Sequence, residues 1–293
     1  MKYIANITKA EIDIAGYATE LEARGWDGMA IADHTVHSGR LWPHVWVGVG
    51  AAAAATERIT ITTAFANNLF RNPVEFAQAA LSAQRVSGGR FEAGLGAGWA
   101  EAELLAMGLD YPAPGERVER FVEALTICRS LFQTGACDFD GTYYSVHIDD
   151  FSTDHEPPPL VGALGGPRIL REAGPLLDRI EVKAAGVATR GGDLDFARLG
   201  EVTVDDVKRQ VERARDANSR APLSFFGLCA AAPGADKLAA SFPDDSVYKP
   251  FFGEPRQVVE SIESLADLGF ESITVSALDP SHFGPIATAR SEL

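Results

Sequence analysis

Short apolar runs alternate with amphipathic segments along the whole chain. Each run precedes a turn and then a stretch in which apolar residues recur every three or four positions, as on one face of a helix. Most of the runs are continuously apolar, which is typical of parallel strands that are covered on both faces. The pattern predicts eight strands, at residues 2–6, 28–32, 59–64, 91–95, 159–163, 179–184, 223–228 and 272–277.

Several of the predicted helices between these strands have recognisable ends. Residues 72–75 supply a cap residue, a first-turn proline and a glutamate at the third helical position, and residues 203–206 resemble a capping box. Apolar residues at helical spacing predict a further helix over residues 117–132. Pro255 is expected to begin a helix near the end of the chain, and Gly269 to end it.

Eight strand–helix pairs predict an α/β fold of the (β/α)8 or TIM-barrel type, which takes ~250 residues before insertions. Three stretches exceed simple connections: residues 33–43 after strand 2, residues 132–158 after strand 4, which include a predicted hairpin near 139–144, and residues 185–201 after strand 6. No linker divides the sequence, so we predict one domain over residues 1–293. The alternative is a doubly wound sheet, but its GxGxxG fingerprint is approximated only at residues 94–99, after strand 4 and with Trp99 in place of the third glycine.

Composition narrows the possible partners and the compartment. Acidic residues outnumber basic ones by 41 to 26, for a net charge of −15. This balance argues against nucleic acid and anionic membranes as partners, because both bind positive surfaces. The three cysteines are widely spaced and form no CxxC motif, which favours reduced structural thiols. With no secretory signal and no apolar run long enough to span a bilayer, we expect a cytoplasmic protein.

Active sites of (β/α)8 barrels lie at the carboxyl ends of the strands, and this rule selects the candidate residues. His34 follows strand 2 and is interpreted either as a general acid or base or as a polar residue that merely ends the strand. Trp99 either stacks on a ligand or forms part of the barrel wall. The remaining candidates at these strand ends are Asp33, Ala64, Phe65, Asn67, Gly96, Gly98, Gly165, Gly166 and Arg168.

A metal site is not predicted, because the spacing of His34, His37 and His44 matches no zinc pattern. The sequence also lacks the P-loop motif GxxxxGK[ST], the hydrolase motif GxSxG and the HExxH motif. A hydrolase that uses paired carboxylates stays open, since acidic residues such as Glu101 and Glu103 occur in several loops. The plainer interpretation of those acids is a solvated acidic surface.

Seven short motifs of this sequence occur together, and in the same order, in one family of proteins. They are ADH at 32–34, ERITITT at 57–63, RNP at 71–73, SGGRF at 87–91, GLGAGW at 94–99, LGGPR at 164–168 and GEP at 253–255. In this order they resemble the bacterial luciferase-like oxidoreductases, particularly the branch that uses the deazaflavin coenzyme F420. The resemblance covers nearly the whole chain.

The resemblance implies a flavin-like ring across the carboxyl mouth of the barrel. His34 is then expected near the reactive carbon, in a proton-transfer role. The Ala64–Phe65 peptide is expected to be cis and to support one face of the ring. Gly165 and Gly166 are expected to bind a phosphate. Trp99 departs from the glutamate of some sugar-phosphate members, which weakens the inference of a sugar-phosphate substrate.

The resulting prediction is an F420-dependent oxidoreductase that transfers a hydride between the reduced cofactor and a small organic electrophile. An FMN-dependent monooxygenase served by a separate reductase, and a barrel that binds cofactor without turnover, remain alternatives. The anionic tail of F420 requires local basic groups, for which Arg40, Arg71, Arg168 and Lys183 are the candidates. We also expect a homodimer, formed through the apolar helix around residues 46–55.

Overall fold

The barrel consists of eight parallel strands, as predicted. The computed structural model describes residues 1–7, 9–10, 12–37, 39–152, 154–189 and 194–293. Neighbouring strands pair in sequence order around the barrel, and pairing between the fourth and fifth strands closes it. The strands are β1 Lys2–Ile7, β2 Gly28–Ile31, β3 Thr60–Thr63, β4 Phe91–Gly96, β5 Leu160–Leu164, β6 Arg179–Val182, β7 Leu223–Ala231 and β8 Ser272–Ala277. The doubly wound alternative is therefore wrong.

The helices begin where the cap residues predict. The Asn72 side chain accepts a hydrogen bond from the Val74 N–H at 2.8 Å, and Thr203 and Asp206 form a reciprocal capping box. Gly269 ends the predicted helix near the carboxyl terminus with a φ of 91°. The helices are α1 Ile14–Ala23, α2 Val45–Ala55, α3 Pro73–Val86, α4 Glu101–Ala106, α5 Pro114–Thr134, α6 Pro167–Ala173, α7 Phe196–Gly200, α8 Val204–Ala217, α9 Pro255–Ser264 and α10 Phe283–Ser291.

The three predicted insertions are present. The first contains two antiparallel two-residue strands, Val36–His37 and Arg40–Leu41. The second contains the predicted hairpin, formed by Cys137–Asp140 and Ser145–Ile148. The third contains the 3-10 helix Ala184–Thr189 and α7, while residues 190–193 of this prediction lie outside the described residues.

A fourth insertion, which the hydrophobic pattern does not predict, follows β7. Residues 232–254 form two 3-10 helices and the two-residue strand Phe252–Gly253, which extends the edge of β7 by pairing with Ala230 and Ala231. Large side chains of this segment, including Tyr248 and Phe251, are fully buried. They have neither a helical nor a strand period, so hydrophobic patterning gave no signal for them.

The three cysteines lie in the interior of the protein. Cys128, Cys137 and Cys229 are buried free thiols, which agrees with the prediction of reduced structural cysteines. Within the described ranges, every helix is too short or too polar to pass through a bilayer.

One glycine fixes the spacing between β3 and β4 and provides a test of the barrel. A Cβ atom built on Gly94 would lie 2.0 Å from the backbone oxygen of Thr63. Gly94→Ala is therefore expected to destabilise the protein by ~3 kcal/mol, at the upper end of typical overpacking costs, because one strand must move. The midpoint of thermal unfolding, followed by circular dichroism, measures the loss.

The matched control is Gly50→Ala, on α2. A Cβ atom at Gly50 meets nothing within 4 Å, and alanine is the better helix former by ~1 kcal/mol. We expect the control to unfold at the same temperature as the wild type or slightly above it. Equal midpoints for the two variants would contradict the close approach of β3 and β4.

Candidate active site

A cavity of about 350 Å³ lies at the carboxyl ends of the barrel strands. A larger depression, of about 800 Å³, lies between α8 and α9 and is lined mostly by the insertion that follows β7. Because catalytic groups in this fold come from the carboxyl ends of the strands, the smaller cavity is the candidate active site. Each strand, or the loop that follows it, contributes to its wall: Asn6, His34, Phe65, Trp99, Ala163, Lys183, Phe226 and Ser276.

The structure brings eight of the predicted site residues together at this cavity. These are Asp33, His34, Ala64, Phe65, Asn67, Gly96, Gly98 and Trp99. In the part of the chain that the structure describes, Gly165, Gly166 and Arg168 lie outside the cavity lining. Gly165 and Gly166 form the turn between β5 and α6, and Arg168 lies in the first turn of α6 at the same end of the barrel.

His34 is held by a buried carboxylate. Its Nδ1 lies 2.8 Å from Oε2 of Glu103, a residue of α4 whose side chain is 2% exposed. An ionised carboxylate only accepts hydrogen bonds, so Nδ1 of His34 carries the proton in this contact. Nε2 is then the nitrogen that can exchange a proton with a ligand, as in other histidines oriented by a carboxylate.

Glu103 also holds the backbone that follows His34. Its Oε1 accepts hydrogen bonds from the N–H groups of Thr35 and Val36. Burial by itself would raise the pKa of Glu103, but the hydrogen bonds from His34 and the two backbone groups outweigh burial and lower the pKa below its ordinary value. The side chain is therefore an ionised, buried anchor rather than the solvated acid that the sequence suggested.

Glu103→Ala is expected to release this backbone segment. The Thr35 and Val36 amides would lose their acceptor, and we expect them to exchange with solvent deuterium at least about tenfold faster, equivalent to ~1.4 kcal/mol of local protection. Hydrogen exchange read by mass spectrometry on a peptide that spans residues 33–37 measures the change. Glu101→Ala, an exposed position on the same helix, is the control and should leave that peptide unchanged. Equal exchange in both variants would remove Glu103 from this role.

Three potential metal ligands meet at this point, although not the three considered from the sequence. Donor atoms of His34, His37 and Glu103 lie within 4.8 Å of one another, while His44 precedes α2. The Glu103 oxygens already accept hydrogen bonds, and the two imidazole rings are stacked with centroids 4.4 Å apart. Stacked rings do not direct their nitrogens to one common point, so a hydrogen-bonded aromatic cluster describes this group better than a metal site.

Two tryptophans complete the surroundings of His34. The Trp42 ring centroid lies 5.0 Å from that of His34, and the Trp99 ring centroid lies 5.9 Å away in an edge-on arrangement. Aromatic walls of this kind exclude water and provide flat apolar contact for a ligand. Trp99 thus lines the cavity as well as forming part of the barrel wall.

The floor of the cavity next to His34 consists largely of backbone. The Ala64–Phe65 peptide is cis, as predicted. A Cβ atom at Gly96 would lie 3.0 Å from that of Phe65, and one at Gly98, whose φ is 86°, would lie 2.7 Å from Leu69. Glycine at these two positions leaves a smooth wall against which a flat ring can lie.

An ion pair holds this floor to the end of β2. Oδ2 of Asp33 accepts hydrogen bonds from the Asn67 N–H at 2.7 Å and from Nη1 of Arg71 at 2.6 Å. Both charged side chains are about nine-tenths buried or more. Arg71 is therefore committed to Asp33 and does not form part of a basic rim, contrary to the prediction.

At the predicted phosphate-binding turn, the backbone at Gly166 is accessible, but carboxylates compensate the charge of Arg168. A Cβ atom at Gly166 meets nothing within 4 Å, whereas one at Gly165 would lie 2.8 Å from the backbone oxygen of Lys183. The Arg168 guanidinium contacts Glu119 at 2.7 Å and Glu172 at 3.1 Å. The turn can approach an anion through its backbone, and the role of Arg168 stays a prediction.

Two other residues of the cavity lining were missed or misplaced. Asn6 is buried, and its Oδ1 has no hydrogen-bond partner among the residues described, while its Nδ2 donates to Ser276. Lys183 follows β6 and extends into the cavity rather than onto the rim. The signal for Lys183 was present in the sequence, because Arg179, Glu181 and Lys183 alternate within an otherwise apolar strand.

The residues that line the cavity fit a flat ring that carries polar groups at its edge. The backbone floor formed around Gly96 and Gly98 suits one face, and the unpartnered Oδ1 of Asn6 can accept a hydrogen bond from a ring N–H. The cavity volume lies within the ~300–1,000 Å³ that is usual for small-molecule sites.

The chain matches a family model and named relatives. The model described as luciferase-like monooxygenase matches residues 11–242. The F420-dependent glucose-6-phosphate dehydrogenase of Amycolatopsis mediterranei (strain U-32) is 28% identical over 295 residues, covering 89% of this chain and 87% of that protein. The protein of the same name from Microbacterium testaceum (strain StLB037) is 30% identical over 210 residues, covering 70% of this chain and 60% of that protein.

Solved structures share the fold at lower identity. An F420-dependent secondary alcohol dehydrogenase in complex with an F420-acetone adduct has a TM-score of 0.72 and 21% identity, covering 99% of this chain and 97% of that one. The oxygenating constituent of 3,6-diketocamphane monooxygenase from Pseudomonas putida, in complex with FMN, also has a TM-score of 0.72, at 16% identity, with coverage of 100% and 97%. At these identities the likeness establishes the barrel, and it includes both cofactor types.

Proposed function

The chain belongs to the luciferase-like monooxygenase family, and from that premise we propose that it is a coenzyme F420-dependent oxidoreductase that acts on a small organic electrophile. The observation that carries the proposal is the pairing of an oriented histidine with a flat backbone floor in one cavity. The relatives named as F420-dependent dehydrogenases, which align with most of the chain, support the choice of cofactor.

One set of residues would bind the cofactor, and another set would transfer the proton. When bound, the reduced deazaflavin supplies a hydride. Gly96, Gly98 and the Ala64–Phe65 peptide would hold its ring, and the backbone at Gly165 and Gly166 would hold its phosphate. His34 donates or accepts the accompanying proton at Nε2, and Glu103 keeps the imidazole in the required orientation. The aromatic cluster of His37, Trp42 and Trp99 excludes water around this nitrogen.

Cofactor titration tests the proposal directly. The protein is titrated separately with F420 and with FMN, and quenching of the fluorescence of each cofactor is followed. We expect F420 to saturate at a much lower concentration than FMN. Reduced F420 is then mixed with a panel of activated alkenes, imines and carbonyl compounds, and the return of oxidised-cofactor absorbance measures turnover. Failure to bind F420 would contradict the proposal, and binding without turnover across the panel would favour a silent barrel.

An FMN-dependent monooxygenase is the second candidate, and one observation favours it. Arg71 and Arg168 have carboxylate partners, and Lys183 lies inside the cavity. Fewer cations than expected are thus available for the anionic tail of F420, whereas FMN requires only its phosphate to be held. Preferential FMN binding, together with oxygen consumption in the presence of a flavin reductase, would favour this candidate.

We further propose a homodimer formed through α2. Val47 projects from this helix and is 70% exposed, among alanines that would allow close helix contact. Light scattering on the wild type and on Val47→Glu tests this, and a monomeric wild type would contradict it. A cytoplasmic location and a separate source of reduced cofactor complete the proposal.

A further inference from the structure

An unpaired lysine faces His34 across the cavity. In the closed barrel β2 and β6 are four strands apart, so His34, after β2, and Lys183, after β6, lie on opposite walls. The Lys183 Nζ lies 5.8 Å from the Trp99 ring centroid and 5.2 Å from that of Phe226. Among the described residues, Nζ makes no hydrogen bond and no ion pair.

The groups beneath Lys183 leave its charge only partly compensated. On the inward face of β6, Glu181 and Arg179 lie successively deeper in the barrel, and Arg179 pairs with Glu92 of β4. Burial raises the pKa of Glu181 to about 7, although Arg179 and a hydrogen bond from Thr274 oppose this. Glu181 therefore holds its proton more readily than a solvent-exposed glutamate does. Burial also lowers the pKa of Lys183, which Glu181 offsets only in part.

Lys183 is partly buried. An ammonium that is partly removed from water and has no anion beside it is destabilised, and a ligand that supplies the anion removes that cost. The backbone floor around Gly96 and Gly98 offers a flat surface without charged groups, whereas the Lys183 wall offers one cation between two aromatic rings. The first wall suits a neutral ring face. The second suits a compact anionic group carried by an aromatic or unsaturated body.

We propose that Lys183 is a specificity-determining residue that binds a carboxylate on the acceptor substrate, so that the electrophilic carbon lies between Lys183 and His34. The proposal rests on the proposed function for the identity of the reaction, and it narrows the substrate to carboxylate-bearing compounds. The binding step itself requires no cofactor. It can therefore be tested on the protein alone.

The test compares benzoate with benzamide, which has nearly the same shape but no charge. Binding to the cofactor-free protein is followed by intrinsic fluorescence, because Trp42 and Trp99 line the cavity, and by calorimetry. We expect the wild type to bind benzoate at least about tenfold more tightly than benzamide. Lys183→Gln should lose that preference, and Lys183→Arg should retain most of it. The exposed substitution Lys208→Gln is the control and should behave as the wild type.

Three results would overturn the proposal: equal binding of the two probes to the wild type, unchanged benzoate binding in Lys183→Gln, or an Lys183→Gln variant that loses F420 affinity while it keeps its preference for benzoate. The last result would assign Lys183 to the cofactor ring. Failure of the proposed function is distinguishable, because it appears as absent F420 binding while benzoate discrimination persists. Circular dichroism and a thermal midpoint for each variant show whether the fold is intact.

Discussion

His34→Ala is expected to lower turnover by ~10²–10⁴-fold, the usual contribution of a positioned proton donor or acceptor, while F420 affinity stays nearly unchanged. The reason is geometric. The His34 imidazole is fixed through Nδ1 by Glu103, which leaves Nε2 available for the reacting molecule, whereas the ring of the cofactor would rest on backbone around Gly96 and Gly98. The measurement is kcat under saturating reduced F420, with binding determined separately by fluorescence quenching.

A control variant and a rescue experiment make the result specific to the imidazole. His147→Ala removes an exposed histidine on the hairpin between α5 and β5 and should leave turnover unchanged. Addition of free imidazole to His34→Ala should restore part of the activity, because the cavity left by the ring can admit it. Turnover of His34→Ala equal to that of the wild type would mean that solvent supplies the proton. A parallel loss of F420 binding would instead assign His34 to the cofactor.

The architecture was predictable because parallel strands that are covered on both faces are continuously apolar. Residues 272–277 were predicted as a strand with the observed bounds, and Pro73 and Pro255 mark the observed starts of their helices. The fourth insertion was missed for the converse reason. Tyr248 and Phe251 are buried by a segment without regular secondary structure, and no periodic pattern reports such burial.

The site was only partly predictable, because its most informative contacts join residues that are distant in sequence. His34 follows from its position after β2, but its partner Glu103 lies 69 residues later and was interpreted as a surface acid. Arg71 was predicted to supply positive charge near the barrel mouth, yet its guanidinium is paired with Asp33. In both cases the sequence identified the residue type but not its partner, because only the closed barrel brings the segments that follow β2, β3 and β4 together.

Asp33→Ala is expected to produce the largest loss of stability, ~3–5 kcal/mol, because the mostly buried Arg71 guanidinium then keeps only Glu75, 3.5 Å away and about half exposed, as a carboxylate partner. The exposed fractions of the Arg71 and Asp33 side chains are 10% and 6%, so solvent cannot replace the lost interaction. The Asn67 N–H loses its acceptor at the same time. For a barrel of this size, a loss of that magnitude corresponds to a decrease of ~10 °C in the thermal midpoint.

An exposed ion pair provides the matched control. Glu260→Ala breaks a contact with Arg256 on α9, where both side chains are more than half exposed, and should cost less than ~1 kcal/mol. The double substitution Asp33→Ala with Arg71→Met should recover part of the stability lost by Asp33→Ala alone, because it removes a buried charge that has lost its shortest ion pair. Equal midpoints for Asp33→Ala and Glu260→Ala would contradict a buried pair. If the double variant is no more stable than Asp33→Ala, the loss comes from the Asn67 hydrogen bond rather than from the charge of Arg71.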